Sequence, residues 1–169
     1  MARVLVVYAT KTGSTEGIAQ QIGETLGSLG ADVDVVPADH KPDGTAYDAI
    51  VVGSGVRAGL WHASAKQWLV GHADLLKSHP MALFTVGLTM ATNPEKADTV
   101  RGYTDLLLSE TGIKPVDIGL FAGMNKLDTL PLPERLVMRA MKAPQGDFRD
   151  MDAVAAWTKA VAPKLGVTV

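Results

Sequence analysis

The chain has 169 residues and a formal charge of −2, from 16 lysines and arginines against 18 aspartates and glutamates. That length suits one domain, 1–169, with a sizeable core, and the charge balance carries no electrostatic footprint for nucleic acid. No cysteine is present, which excludes disulfides, thiol catalysis, iron–sulfur ligation and covalent haem attachment.

In chain order, the apolar, β-branched run Val4 to Tyr8 predicts a strand buried on both faces, and Ile18, Ile22, Leu26 and Leu29 follow at helical spacing. The strand begins almost at once and no apolar stretch is long enough to span a bilayer, so neither a signal peptide nor a transmembrane helix is expected, and the location is read as cytoplasmic. Val33 to Val36 is a second strand, Lys41-Pro42-Asp43-Gly44 a turn, and Ala49 to Val52 a third strand ending at Gly53. Ala65, Trp68, Leu69, His72 and Leu76 mark a helix. After a fourth strand, Ala82 to Val86, Asn93 and Pro94 offer an N-cap and first residue for a helix burying Ala97, Val100 and Leu107. Val116 to Phe121 is the fifth strand. A last helix follows Asp150, with Met151, Val154, Thr158, Val161 and Leu165 on one stripe. Alternation of this kind predicts an α/β fold with a parallel sheet and helices on both faces.

The first turn reads Thr10-Lys11-Thr12-Gly13-Ser14-Thr15 and opens a helix. The leading N–H groups of a helix lack intrahelical partners and its dipole favours an anion, so hydroxyls and a glycine here read as a phosphate cradle. A hydroxyl-rich turn that only caps its helix is the alternative. Neither Gly-x-x-x-x-Gly-Lys-Ser/Thr nor Gly-x-Gly-x-x-Gly follows the strand, and Gly53-Ser54-Gly55 is no nucleophile elbow because Val52 and Val56 stand where glycines are needed. The four histidines lack metal-site spacing. His72 reads as a hydrogen-bonded core histidine, while His40 and His79 border turns and suggest nothing.

Between the fifth strand and the last helix lies a segment from Gly123 to Asp147. Pro133 can open a helix and Pro144 close it. Leu132, Leu136, Val137, Ala140 and Met141 form one face, and Arg135, Met138, Arg139 and Lys142 another. Two readings stand: a helix packed on the domain with solvated cations, or a surface that meets anionic lipid headgroups or an anionic, partly apolar substrate.

The pattern of Tyr8, Thr10, Gly13, Thr15, Ala19 and Ile22 resembles the flavodoxin loop. The resemblance implies a doubly wound five-stranded parallel sheet in the order 2-1-3-4-5, with ligands beyond the carboxyl ends. It also implies noncovalent flavin mononucleotide (FMN), its phosphate held by Thr10, Lys11, Thr12, Gly13, Ser14 and Thr15. The isoalloxazine is then expected against Ser54, Gly55, Val56, Arg57, Ala58, Gly59 and Trp61, whose ring offers a stacking surface. Thr85, Val86, Gly87, Leu88 and Thr89 are expected on its other side. Arg57 and His62 are the candidate catalytic residues: Arg57 would favour an anionic reduced flavin, and His62 would shuttle a proton. The alternatives are an arginine in solvent and an exposed histidine without a role.

Gly-x-x-x-Arg-x-Gly-x-Trp-His from Gly53 to His62, Phe84-Thr85-Val86-Gly87-Leu88-Thr89, the basic insertion and Gly146-Asp147-Phe148-Arg149-Asp150 resemble the flavodoxin-type, menaquinone-dependent protoporphyrinogen oxidases. The likeness runs through nearly the whole chain, although the insertion here is shorter, less aromatic and less basic. It implies an FMN-dependent oxidoreductase that passes electrons from a reduced organic substrate such as protoporphyrinogen IX to a quinone, with peripheral contact at the inner membrane face through Arg135, Arg139 and Lys142. The alternative is a soluble electron-transfer flavodoxin that docks with redox proteins. Such carriers are usually strongly acidic around the flavin, whereas this chain is nearly balanced. A domain that keeps the fold without the cofactor is a third option, which the intact loop from Thr10 to Thr15 opposes.

Overall fold

The computed structural model describes residues 1–11, 13–125, 131–140 and 146–168, with the backbone alone at Met138. The elements run β1 (Arg3–Ala9), α1 (Ser14–Ser28), β2 (Asp32–Pro37), β3 (Ala49–Arg57), β4 (Leu60–Trp61), α2 (Ala63–Gly71), α3 (Ala73–Ser78) and β5 (Met81–Gly87). Then come the short α4 (Thr89–Thr92), α5 (Ala97–Arg101) and α6 (Asp105–Thr111), β6 (Ile118–Ala122), β7 (Met124–Asn125), α7 (Leu132–Ala140), β8 (Gly146–Asp147) and α8 (Met151–Val161).

The parallel strands lie in the order β2-β1-β3-β5-β6, the doubly wound arrangement expected. Strand β1 shows why both faces are covered. Val4, Val6 and Tyr8 pack with Ile18 and Ile22 of α1 and Val154 and Val161 of α8, while Leu5 and Val7 pack with Trp68 and Leu69 of α2, Leu76 of α3 and Leu107 of α6. Alternate side chains thus enter two separate cores, each fully buried aliphatic residue contributing about 1.5–3 kcal/mol. Gly53 is part of this packing, because a Cβ there would lie 2.0 Å from the Phe84 ring.

Three local expectations change. Strand β3 does not stop at Gly53: it runs on to Arg57 and turns back antiparallel into β4, pairing Val56 with Trp61 and Arg57 with Leu60. The turn residues Ala58 and Gly59 have φ of 51° and 76°, the left-handed pair that suits a two-residue hairpin. The helix read through Ala65 to Leu76 is broken at His72 (φ −113°), whose ring stacks on Trp68 at 4.0 Å and whose Nδ1 lies 2.7 Å from the Trp68 carbonyl oxygen. The side chains keep helical spacing across the break, so the pattern conceals it. Finally, Asn93 caps no helix by its side chain, and residues 89–111 fold as several short turns of helix rather than one. Val100 and Leu107 are buried there as expected. The N-cap expected at Asp150 is present, its carboxylate accepting from Ala153 N at 3.0 Å.

Candidate functional site

At the carboxyl ends of β1, β3 and β5, where the strand order reverses, the structure opens a cleft of about 1040 Å³. One end of it is the turn before α1. Gly13 has φ 89°, its N–H donates to Thr10 Oγ1 at 2.9 Å, and no side chain caps the helix behind it. Thr15 is fully buried, yet its hydroxyl has no hydrogen-bond partner. A buried hydroxyl without a protein partner has its hydrogen-bonding capacity free for a ligand oxygen. Gly55 keeps the space beside it open, since a Cβ there would stand 3.1 Å from Thr15 Oγ1. An uncapped helix N-terminus beside an unpaired hydroxyl fits a phosphate, and a cleft of this size fits the ring system attached to it. Thr12 lies outside the described residues.

The hairpin β3–β4 forms the second wall. Val56, Arg57, Ala58, Gly59, Trp61 and His62 all line the cleft, as do Lys11, Ser14, Val86, Gly87, Leu88 and Thr89. Ser54 and Thr85 do not line it; they hold the wall from beneath. Ser54 Oγ donates to Gly55 O at 2.7 Å and accepts from His62 N at 2.8 Å, and Thr85 Oγ1 accepts from Trp61 Nε1 at 3.0 Å. Trp61 is accordingly pinned in the core with one edge to the cleft. His62 is exposed and caps α2, Nδ1 accepting from Ser64 N at 3.2 Å.

Arg57 does not simply point into solvent. Its Nη1 lies 3.0 Å from Glu134 Oε2, and Lys11 Nζ hydrogen-bonds Glu134 Oε1. Hydrogen bonds from Lys11 and then Arg57 hold the Glu134 carboxyl below the usual carboxylate range. A depressed pKa means the bridge is complete above the ordinary value near 4.3 and is lost only as pH falls through the lowered one. Glu134 belongs to α7, so one carboxylate joins the turn before α1, the hairpin wall and the insertion helix. Sequence reasoning gave it no role.

Helix α7 itself carries exposed apolar residues: Leu132, Leu136 and Val137 are 62%, 56% and 57% exposed. Arg139 is exposed, whereas Arg135 is half-buried and engaged. Met141, Lys142 and Pro144 lie outside the described residues. The insertion returns through β8, which pairs with β7, and Arg149 then clamps Asp147 with Nε at 2.9 Å and Nη2 at 2.8 Å. That ion pair raises the Arg149 pKa. Met90, Tyr103, Gly123, Met124 and Asn125 also line the cleft. Tyr103 continues the Val100 stripe by three positions, a signal that could have found it; Asn125, on a two-residue strand, left none.

The flavodoxin domain family matches residues 5–152 of the chain. The protoporphyrinogen IX dehydrogenase [quinone] of Escherichia coli strain K12 is 26% identical over 151 residues, covering 88% of this chain and 83% of that protein. A protein of the same name from Leishmania major is 28% identical over 128 residues, covering 72% of this chain and 54% of the relative. Among solved structures, flavodoxin 2 of Bacillus cereus superposes with a TM-score of 0.61 at 22% identity, covering 96% of this chain and 99% of that one. An archaeal flavodoxin does so with 0.60 at 18% identity, covering 97% and 99%.

Proposed function

The chain belongs to the flavodoxin family, and from that premise we propose that it oxidises protoporphyrinogen IX, or a closely similar reduced tetrapyrrole, and passes the electrons to a quinone. It is a flavodoxin-like oxidoreductase whose cofactor is FMN. When bound, FMN supplies a store that accepts electrons in pairs from an organic donor and returns them to an acceptor. The chain's own residues bind and orient it: Thr15 and the first N–H groups of α1 serve the phosphate, and the β3–β4 hairpin, steadied by Ser54 and Thr85, forms the wall for the ring.

The observation that carries the choice of substrate is the similarity to the E. coli quinone-linked dehydrogenase over 88% of this chain. The rim of the cleft agrees with it. Lys11 and Arg57 stand there, where a one-electron carrier would present acidic residues to its partners. A quinone acceptor is lipid-soluble, and the exposed Leu132, Leu136, Val137 and Arg139 form an apolar, basic strip suited to an anionic bilayer surface. No helix among the described residues is long and apolar enough to cross a membrane.

The test is anaerobic oxidation of protoporphyrinogen IX by the FMN-loaded protein with menaquinone as acceptor, followed by porphyrin fluorescence. Porphyrin formation that depends on both FMN and quinone supports the reading. Absence of turnover, with rapid one-electron exchange to a redox protein instead, moves the chain to the carrier class.

A further inference from the structure

Lys11 and Arg57 come from different loops, the first between β1 and α1 and the second at the end of β3, yet they converge on one carboxylate. Each oxygen of Glu134 is taken by a different cation, Oε1 by Lys11 and Oε2 by Arg57. All three side chains remain partly exposed, at 43%, 48% and 31%. Ion pairs so wet contribute little to holding a fold together, so stability alone is a weak account of why the two cations meet there. What the arrangement does show is how this rim holds a carboxylate.

A second feature lies beside it. A shallow groove of about 220 Å³ is lined by Arg57, Pro133, Glu134 and Val137. It brings the apolar Pro133 and Val137 together with the Arg57–Glu134 ion pair, a combination suited to a ligand with an apolar body and a carboxylate that can replace Glu134 on Arg57. Arg57 and Glu134 thus belong to both the ion pair and the groove.

We infer that Lys11 and Arg57 form a carboxylate-binding subsite at the mouth of the cofactor cleft, occupied in the resting protein by Glu134 and taken over by the acidic edge of an organic substrate. Exchange of one carboxylate for another conserves both charge-assisted contacts, so it costs little, and the apolar body of the incoming molecule then covers Pro133 and Val137. Glu134 is a positioning residue in this scheme: it keeps the two cations together at the spacing a carboxylate needs until a substrate carboxylate displaces it. The inference rests on the oxidoreductase reading for its choice of a tetrapyrrole acid, but the subsite itself rests on the geometry.

The experiment uses FMN-loaded protein and equilibrium dialysis with mesoporphyrin IX, a stable diacid, and with its dimethyl ester. Glu134→Gln removes the internal competitor, so the diacid should bind about threefold to tenfold more tightly, by the fraction of competent sites released. The ester should be unaffected. Lys11→Gln with Arg57→Gln should weaken the diacid by about tenfold or more, again leaving the ester alone. Because the two changes act in opposite directions, a misfolded variant cannot imitate the pair. Weaker or unchanged diacid binding in Glu134→Gln, or equal binding of diacid and ester to the parent, overturns the subsite. If no tetrapyrrole binds any variant, the substrate reading fails, and 1-naphthoate decides the subsite separately: tightening by Glu134→Gln supports it and no change overturns it.

Discussion

The indole Nε1 of Trp61 donates to the Thr85 hydroxyl at 3.0 Å, and both side chains are buried. Trp61 is on β4 and Thr85 on β5, so this bond ties the hairpin wall of the cleft to an interior strand of the parallel sheet. It also explains a threonine in an otherwise apolar strand.

Thr85→Val keeps the shape and removes the acceptor. The stranded indole N–H should cost about 1–3 kcal/mol, which for a chain of this size lowers the melting temperature by roughly 2–12 °C. Thr85→Ser, which keeps the acceptor, should lose much less. Equal melting temperatures for the two variants would show that the bond does not hold the wall.

Thr15 offers a test with two opposite signs. Its hydroxyl is buried with no protein hydrogen-bond partner to lose, so Thr15→Val should leave the apoprotein as stable as the parent or slightly more so. Under the proposed phosphate-binding role the hydroxyl meets the charged phosphate of FMN, and its loss should weaken binding by about 1.5–3 kcal/mol, roughly tenfold to more than a hundredfold. Riboflavin, which has no phosphate, should bind both proteins alike. Urea unfolding of the apoproteins and flavin fluorescence titrations measure the two arms, and equal FMN affinities would remove Thr15 from the phosphate site.

Ala58 has φ 51° in the hairpin turn, a region that costs an ordinary L-residue about 1–2 kcal/mol. Asparagine tolerates this conformation, and Asn-Gly is the preferred pair for such a turn. Ala58→Asn should therefore raise the urea midpoint by an amount worth up to about 1 kcal/mol. A lower midpoint would mean that Ala58 contributes contacts outweighing its strain.

The strip on α7 can be separated from the fold. Leu136→Ser with Val137→Ser and Arg139→Gln alters exposed side chains, so FMN content and melting temperature should change little, each site lying within about 0.5 kcal/mol. Co-sedimentation with vesicles of anionic phospholipid should fall markedly. Undiminished sedimentation would remove the membrane from the account of this helix.

How much of this the sequence disclosed depended on distance along the chain. The first strand, turn and helix were legible because they stand together between Arg3 and Ser28, each with its own periodicity and its own end signals. Alternation of strands and helices predicts the parallel sheet with helices on both faces, and the strand order came with the flavodoxin resemblance. The hairpin was not legible, because its turn uses alanine in a conformation alanine disfavours, and the local propensity there contradicts the structure. Glu134 was hidden for another reason. It lies 77 positions from Arg57 and 123 from Lys11, and a glutamate on a helix with several basic neighbours looks like ordinary surface charge. Only the folded rim makes it a ligand for both cations.

That rim also changes what Arg57 can do to the flavin. With Glu134 3.0 Å away and Lys11 on its other oxygen, the three groups together present one net positive charge rather than two. Glu134→Gln uncovers the second positive charge and should raise the potential for forming the reduced, anionic flavin. Arg57→Gln removes one and should lower it. Each shift should be on the order of tens of millivolts, because the groups are partly exposed and water screens them. Combining the two substitutions leaves Lys11 alone, again with one net positive charge, so the double variant should return close to the parent potential. Potentiometric titration of the four proteins measures this directly. Opposite single shifts that cancel in the double variant establish that the flavin responds to the summed charge of Lys11, Arg57 and Glu134, whereas singles that move together, or not at all, exclude the rim from control of the potential.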